Sequence, residues 1–128
     1  RELSKTAVCC LATNAKDSDK SEIVKALKRV YLEQYFSNIF CYREIGYAKP
    51  TREYFDKILA KLKVAKTEVV MIGDDLEKDV MGAKNYGIEA ILYDPENKHT
   101  DYGGTRIRDL QELIKYYDSD HIDVRPKI

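Results

Sequence analysis

This chain has little that would mark it for a membrane, a nucleic acid or an oxidising compartment. Its 22 basic and 22 acidic residues cancel at neutral pH, so no bulk field draws it to nucleic acid or to an anionic bilayer. No apolar run approaches the length of a membrane span, and no signal-peptide pattern is present. Cysteine is scarce. Of three, Cys9 and Cys10 are adjacent inside an apolar run and Cys41 stands apart. Such a set implies reduced, buried thiols in a cytoplasmic protein rather than a disulfide frame. A zinc site is not expected, because the cysteines lack paired spacing and His99 and His121 stand far from them. Internal repeats and low-complexity tracts are absent, and 128 residues is one domain's length. The first residue is Arg1 rather than methionine, and the expectation is a piece of something longer.

What is present is an alternation of apolar runs with amphipathic stretches, the pattern of an α/β protein whose parallel sheet is covered by helices. Residues 7–12 (AVCCLA), 38–42 (NIFCY), 69–72 (VVMI) and 88–93 (IEAILY) read as strands. Ile23, Ala26, Leu27, Val30 and Tyr31 recur at helical spacing, and Asp19 with Glu22 suits a capping-box variant at that helix's start. Residues 43–50 (REIGYAKP) read as a loop. A second helix follows, with Tyr54, Phe55, Ile58, Leu59 and Leu62 on one face and Pro50 tolerated near its start. Residues 78–86 form a third helix, stopped by Gly87. Asp94-Pro95-Glu96-Asn97 is turn chemistry, and Leu110, Leu113, Ile114 and Tyr117 make a final helical stripe. Residues 1–118 read as one unit and 119–128 as a polar, loose tail.

Three polar features fall at strand ends or helix starts, where open α/β sheets bind ligands. Thr13 and Asn14 close the first strand. Lys49 precedes a helix, so an anion would meet both its ammonium and the helix's positive end. Asp74, Asp75 and Asp79 follow the best-defined strand, and their mutual repulsion calls for a cation or solvent. Mg²⁺ is the simplest cation for such hard oxygen donors. Singly, each feature has a simpler explanation: a turn or cap residue at Thr13 or Asn14, a solvated lysine at Lys49, carboxylates favouring a helix start at Asp75 and Asp79. Together, an anion site and a cation site facing one way suggest a phosphate ester bridged to Mg²⁺.

The ordered trio resembles the haloacid dehalogenase superfamily of phosphohydrolases. The resemblance runs from about Ala7 to Tyr93. It rests on LATN ending in Thr13 and Asn14, on Gly46-Tyr47-Ala48-Lys49-Pro50, and above all on GDDLEKDVMGAKNYGI, with Gly73, Asp74, Asp79, Gly82, Ala83 and Gly87. It implies a Rossmann-like three-layer parallel sheet with helices on both faces. It also implies roles: Thr13 and Asn14 bind the transferring phosphoryl group, Lys49 neutralises its charge, and Asp74 coordinates Mg²⁺. Asp79 would complete or orient the metal site. Asp75 stands where the family often has Ser, Thr or Asn, so its role is the least defined.

The same resemblance exposes a gap. The superfamily's nucleophile is an aspartate in a D-x-D pattern closing an apolar strand, and no such strand precedes Thr13. Asp17-Ser18-Asp19 is the D-x-D nearest Thr13, and it lies in a polar loop. The cap segment that usually selects substrate is absent too. The chain therefore resembles the second half of the family's core, lacking its central first strand. The flanking strands would stand roughly 9–10 Å apart, two strand spacings. Each unsatisfied buried backbone group costs about 1–3 kcal/mol, so a handful rivals the roughly 5–15 kcal/mol that holds a domain together. Three outcomes follow: a strand supplied by a missing N-terminal segment, a second copy of the chain across the slot, or closure of the two flanking strands. The complete protein is expected to hydrolyse a small phosphorylated metabolite through an aspartyl-phosphate, with this chain inactive alone and binding Mg²⁺ weakly. The alternative is a non-catalytic phosphate- or protein-binding module of the same fold. A two-component receiver domain is set aside, because its acidic pair comes first and its lysine last. So is a polymerase GDD hairpin, because a helical pattern follows here.

Overall fold

The computed structural model describes residues 7–14 and 20–116. Its strands are short and all parallel. β1 (Cys10–Ala12) pairs with β2 (Asn38–Phe40), placing Leu11 opposite Ile39. β3 (Val70–Gly73), β4 (Glu89–Tyr93) and β5 (Arg106–Ile107) form a second sheet in that order, with Met71 opposite Ala90 and Leu92 opposite Arg106. The α/β class with parallel strands is as expected.

The second sheet is apolar on both faces because its strands alternate with period two. Met71, Ala90 and Leu92 face a large cluster containing Tyr54, Phe55 and Ile58 of helix α3 (Arg52–Leu62) and Ala83 of α4 (Gly82–Tyr86). Val70, Ile91 and Ile107 face the opposite way and meet Leu113 of α5 (Glu112–Tyr116). Helices thus cover both sides, the three-layer arrangement. Cys10 of β1 and Phe40 of β2 belong to the large cluster as well, so the two sheets share one core.

The helix over 78–86 starts earlier than expected. A π-helical turn, Leu76–Met81, runs directly into α4 and ends at Gly87, whose φ of 106° only glycine adopts cheaply. Helix α3 buries Tyr54, Phe55, Ile58 and Leu59 as its periodicity predicts, with Leu62 partly buried. The turn at Asp94 is also present, closed by Asn97 N–H donating to the Asp94 carbonyl at 3.1 Å.

Several expectations are corrected or extended. α1 (Lys20–Arg29) forms, but none of its residues is buried, and Val30 and Tyr31 are 59% and 80% exposed. Spacing foretells which residues share a face and says nothing of whether anything covers it. Residues 43–50 are not all loop: α2 (Tyr42–Ile45) forms, buries Ile45 and ends at Gly46. β5 has no counterpart in the sequence reading, since two residues carry no periodicity. In the final stripe only Leu113 is buried; Leu110 and Ile114 are exposed. Asp17, Asp19 with its proposed cap, Tyr117, His121 and the 119–128 tail lie outside the described residues. Finally, β1 and β3 do not pair with one another, so closure of the flanking strands, one of the three outcomes expected, is not adopted.

Candidate active site

Asn14 follows β1 and reaches 35 residues along the chain. Its Oδ1 accepts from the Lys49 N–H at 2.9 Å, and its Nδ2 donates to the Lys49 carbonyl at 3.2 Å. A side-chain amide paired with both backbone groups of one residue fixes that residue as a strand partner would. The Thr13 N–H meanwhile donates to the Phe40 carbonyl at 3.0 Å, extending the β1–β2 ladder. Both residues after β1 are thereby held, and Lys49 with them.

The Lys49 ammonium turns inward. Nζ donates to the Ala12 carbonyl at 3.1 Å and to Asp79 Oδ1 at 2.8 Å, and about nine-tenths of each partner side chain is out of solvent. The Asp79 Oδ2 accepts from the Asp75 N–H at 3.2 Å. Asp79 lies directly against Gly73: a Cβ on that glycine would sit 2.2 Å from Asp79 Oδ2 and 2.4 Å from Asp79 Cβ. Only glycine at the end of β3 allows this approach. The π-helical turn sets it up, with the N–H groups of Asp79 and Val80 both directed at the Asp75 carbonyl, at 3.0 and 3.2 Å. Such turns recur at functional sites.

The three acids therefore have three different employments. Asp79 is the buried counter-ion of Lys49. Asp75 is the N-cap, its Oδ1 accepting from the N–H groups of Glu77 (3.1 Å) and Lys78 (2.8 Å). Asp74 is exposed, with no hydrogen-bond or ion-pair partner among the described residues. Asn14, Lys49 and Asp79 are joined by these bonds, Thr13 is held next to Asn14 at the end of β1, and Asp74 follows β3. The described residues contain no group of three acids, histidines or cysteines able to hold a metal ion. Of the three acids expected at a magnesium site, Asp74 alone has its oxygens unengaged. Mg²⁺ prefers six oxygens, and among these three acids Asp74 is the one left open toward such an ion.

Two features of this end of the molecule were not foreseen. Asp94, at the end of β4, is buried and accepts from the N–H groups of Lys98 and His99 (both 2.9 Å) and from Arg106 Nη1 (3.0 Å). Burial by itself would raise its pKa, but those donors outweigh it and hold the carboxyl below the ordinary carboxylate range. The turn motif could have suggested the backbone bonds; the guanidinium, 12 residues on, left no signal. The other feature is the Tyr54 hydroxyl, which is buried and has no hydrogen-bond partner among the described residues.

Residues 3–93 match the family of haloacid dehalogenase-like hydrolases. The chain belongs to that family. Among curated members it is 39% identical over 72 residues to a ribulose-1,5-bisphosphate 5-phosphatase of Halopiger xanaduensis, matching 56% of this chain and 30% of that protein. It is 31% identical over 112 residues to a phosphoserine phosphatase of Thermus thermophilus, matching 84% of this chain and 43% of that protein. Among solved structures, the HAD-hydrolase YfnB of Bacillus subtilis, bound to magnesium, superposes with a TM-score of 0.78 at 25% identity, covering 90% of this chain and 50% of YfnB. A HAD phosphatase of Thermococcus onnurineus gives 0.77 at 26% identity, covering 97% of this chain and 55% of that one. The chain thus spans less than half the length of these curated relatives.

Proposed function

We propose that this chain is the phosphate-binding half of a magnesium-dependent phosphomonoester hydrolase of the haloacid dehalogenase-like family. The observation that carries the reading is the Lys49 ammonium, buried between the last carbonyl of β1 and Asp79, with the Asn14 clamp fixing its backbone. A cation so held adds a positive charge for the equatorial oxygens of a transferring phosphoryl group with little reorganisation. Thr13 and Asn14 would present the end of β1 to the same group. Asp79 positions Lys49 and limits its motion.

Asp74 would be this chain's ligand to Mg²⁺, an ion that supplies charge stabilisation to phosphoryl oxygens when bound. Asp75 would serve by capping the helix, not by touching the metal. The attacking carboxylate, which would form an aspartyl-phosphate, is not among these residues, so this chain by itself would be inactive. The substrate would be a small phosphorylated metabolite, since the relatives named above act on different phosphate esters. No helix among the described residues is long and apolar enough to cross a membrane, and three cysteines outside any disulfide suit a cytoplasmic setting.

The test is turnover of para-nitrophenyl phosphate by the full gene product and by this chain. The full product should hydrolyse it, lose activity to EDTA and regain it with Mg²⁺, while this chain should show none. Metal-independent turnover by the full product would overturn the reading. A second reading, a non-catalytic phosphate-binding module, draws on the engagement of Asp79 and Asp75 by the protein itself. It predicts binding of inorganic phosphate by titration calorimetry with no turnover in the full product.

A further inference from the structure

The helical stretch from the π-helical turn through α4 has two faces. Asp79, Val80 and Ala83 are buried toward the core, while Glu77, Met81 and Asn85 recur four apart on the other side. That other side borders a cavity of about 580 Å³, within the roughly 300–1,000 Å³ of small-molecule sites. Pro50 and Arg52, at the start of α3, form the facing wall, and Lys66, between α3 and β3, closes one part of it. None of Thr13, Asn14, Lys49, Asp74, Asp75 and Asp79 lines this space. It is therefore separate from the candidate active site, although Pro50 directly follows Lys49 in the chain.

Two glycines shape the cavity. A Cβ on Gly82 would sit 2.3 Å from the Pro50 Cβ, so the glycine lets Pro50 rest on α4. A Cβ on Gly87 would sit 3.0 Å from Lys66 Nζ, so the ammonium lies close against the end of α4. There it is 6.0 Å from the centre of the Tyr86 ring, a cation–π contact. The Tyr86 hydroxyl donates to Asp56 Oδ1 and ties α4 to α3.

The polar groups along this space are largely unengaged. The Lys66 ammonium, the Asn85 amide and the Glu77 carboxylate have no hydrogen-bond or ion-pair partner among the described residues. Arg52 has Asp56 alone, with Nε 3.9 Å from Oδ2. Two cations and an amide thus stand against one lining carboxylate. Guanidinium and ammonium donors suit the oxygens of an anion, while Pro50, Met81 and the Tyr86 ring offer apolar contact for the rest of a ligand. We propose that this cavity is a second ligand site, which takes a small organic oxyanion. Its charged group meets Arg52 and Lys66, and its apolar or aromatic body lies against Pro50, Met81 and Tyr86.

The test is a nuclear magnetic resonance titration of the full gene product with phenylphosphonate, whose P–C bond is not a phosphate ester. The amides of Gly82, Asn85 and Tyr86 report on the cavity, and those of Asp74 and Asp75 on the candidate active site. Phenylphosphonate should shift the first group to saturation. Combining Arg52→Gln with Lys66→Gln, both exposed positions, should weaken that binding by about tenfold or more, the size of one lost charge-assisted bond. The Asp74 and Asp75 responses should not change in the double variant. Inorganic phosphate, which lacks the body, should bind the cavity at least about tenfold more weakly. Shifts confined to Asp74 and Asp75, or no shifts at all, overturn the site. Equal affinity in the double variant overturns the role of the two cations, and equal affinity for inorganic phosphate overturns the apolar contact. No readout is turnover, so failure here is separate from failure of the hydrolase reading.

Discussion

Lys49 and Asp79 are the residues on which the site turns. With the two side chains 10% and 9% exposed and 2.8 Å apart, neither charge has water to fall back on. Removing one partner from such a buried pair costs about 3–5 kcal/mol, whereas removing both is far milder. Asp79→Ala should therefore lower the unfolding free energy by about that amount in urea titration, and adding Lys49→Met should recover much of it. A single-variant loss too small to resolve would mean that the lysine escapes to solvent. At this scale the sequence was informative in one respect and silent in another. The motif from Gly73 to Asp79 marked Asp79 as a site residue, without showing that it presses against that glycine. Asp75 was open to both readings, a carboxylate favouring the helix start and a metal ligand, because an N-cap and a metal ligand look alike in a string of letters. The Tyr54 hydroxyl was hidden for a similar reason, its position being an ordinary one on a core stripe.

Among the elements, those long enough to show a period were legible: α3 by its stripe, β3 and β4 by their apolar runs, and the helix over 78–86 by its glycine stop, though not its earlier start. β5 was not, and neither was the exposure of α1, since periodicity marks a face without naming what packs on it. The loop from β4 to β5 is held by Asp94, and its stability is tied to pH. A carboxyl held below its ordinary value stabilises the fold above the unfolded-state pKa of about 4, and that contribution is lost as pH falls through the depressed folded value. Unfolding midpoints measured from pH 6 down to pH 2 should fall for the natural chain, and less steeply for Asp94→Asn. Equal slopes would show that the Arg106 and backbone donors carry no pH-dependent part of the stability.

For the whole molecule, the fold class and the convergence of three distant segments could be read in advance because each segment ends a strand or opens a helix at one end of a parallel sheet. Which of the three outcomes expected for the interval between β1 and β3 holds could not be read from a sequence. The structure keeps the strands unpaired and spans the interval with the Lys49 side chain. The account stands on that ammonium serving a phosphoryl group, and the most direct measurement is para-nitrophenyl phosphate turnover by the full gene product carrying Lys49→Met, with circular dichroism to confirm folding. A fall in kcat of about 10²–10³ in a folded variant is predicted, the size expected for losing one preorganised charge donor. An unchanged rate would contradict the account.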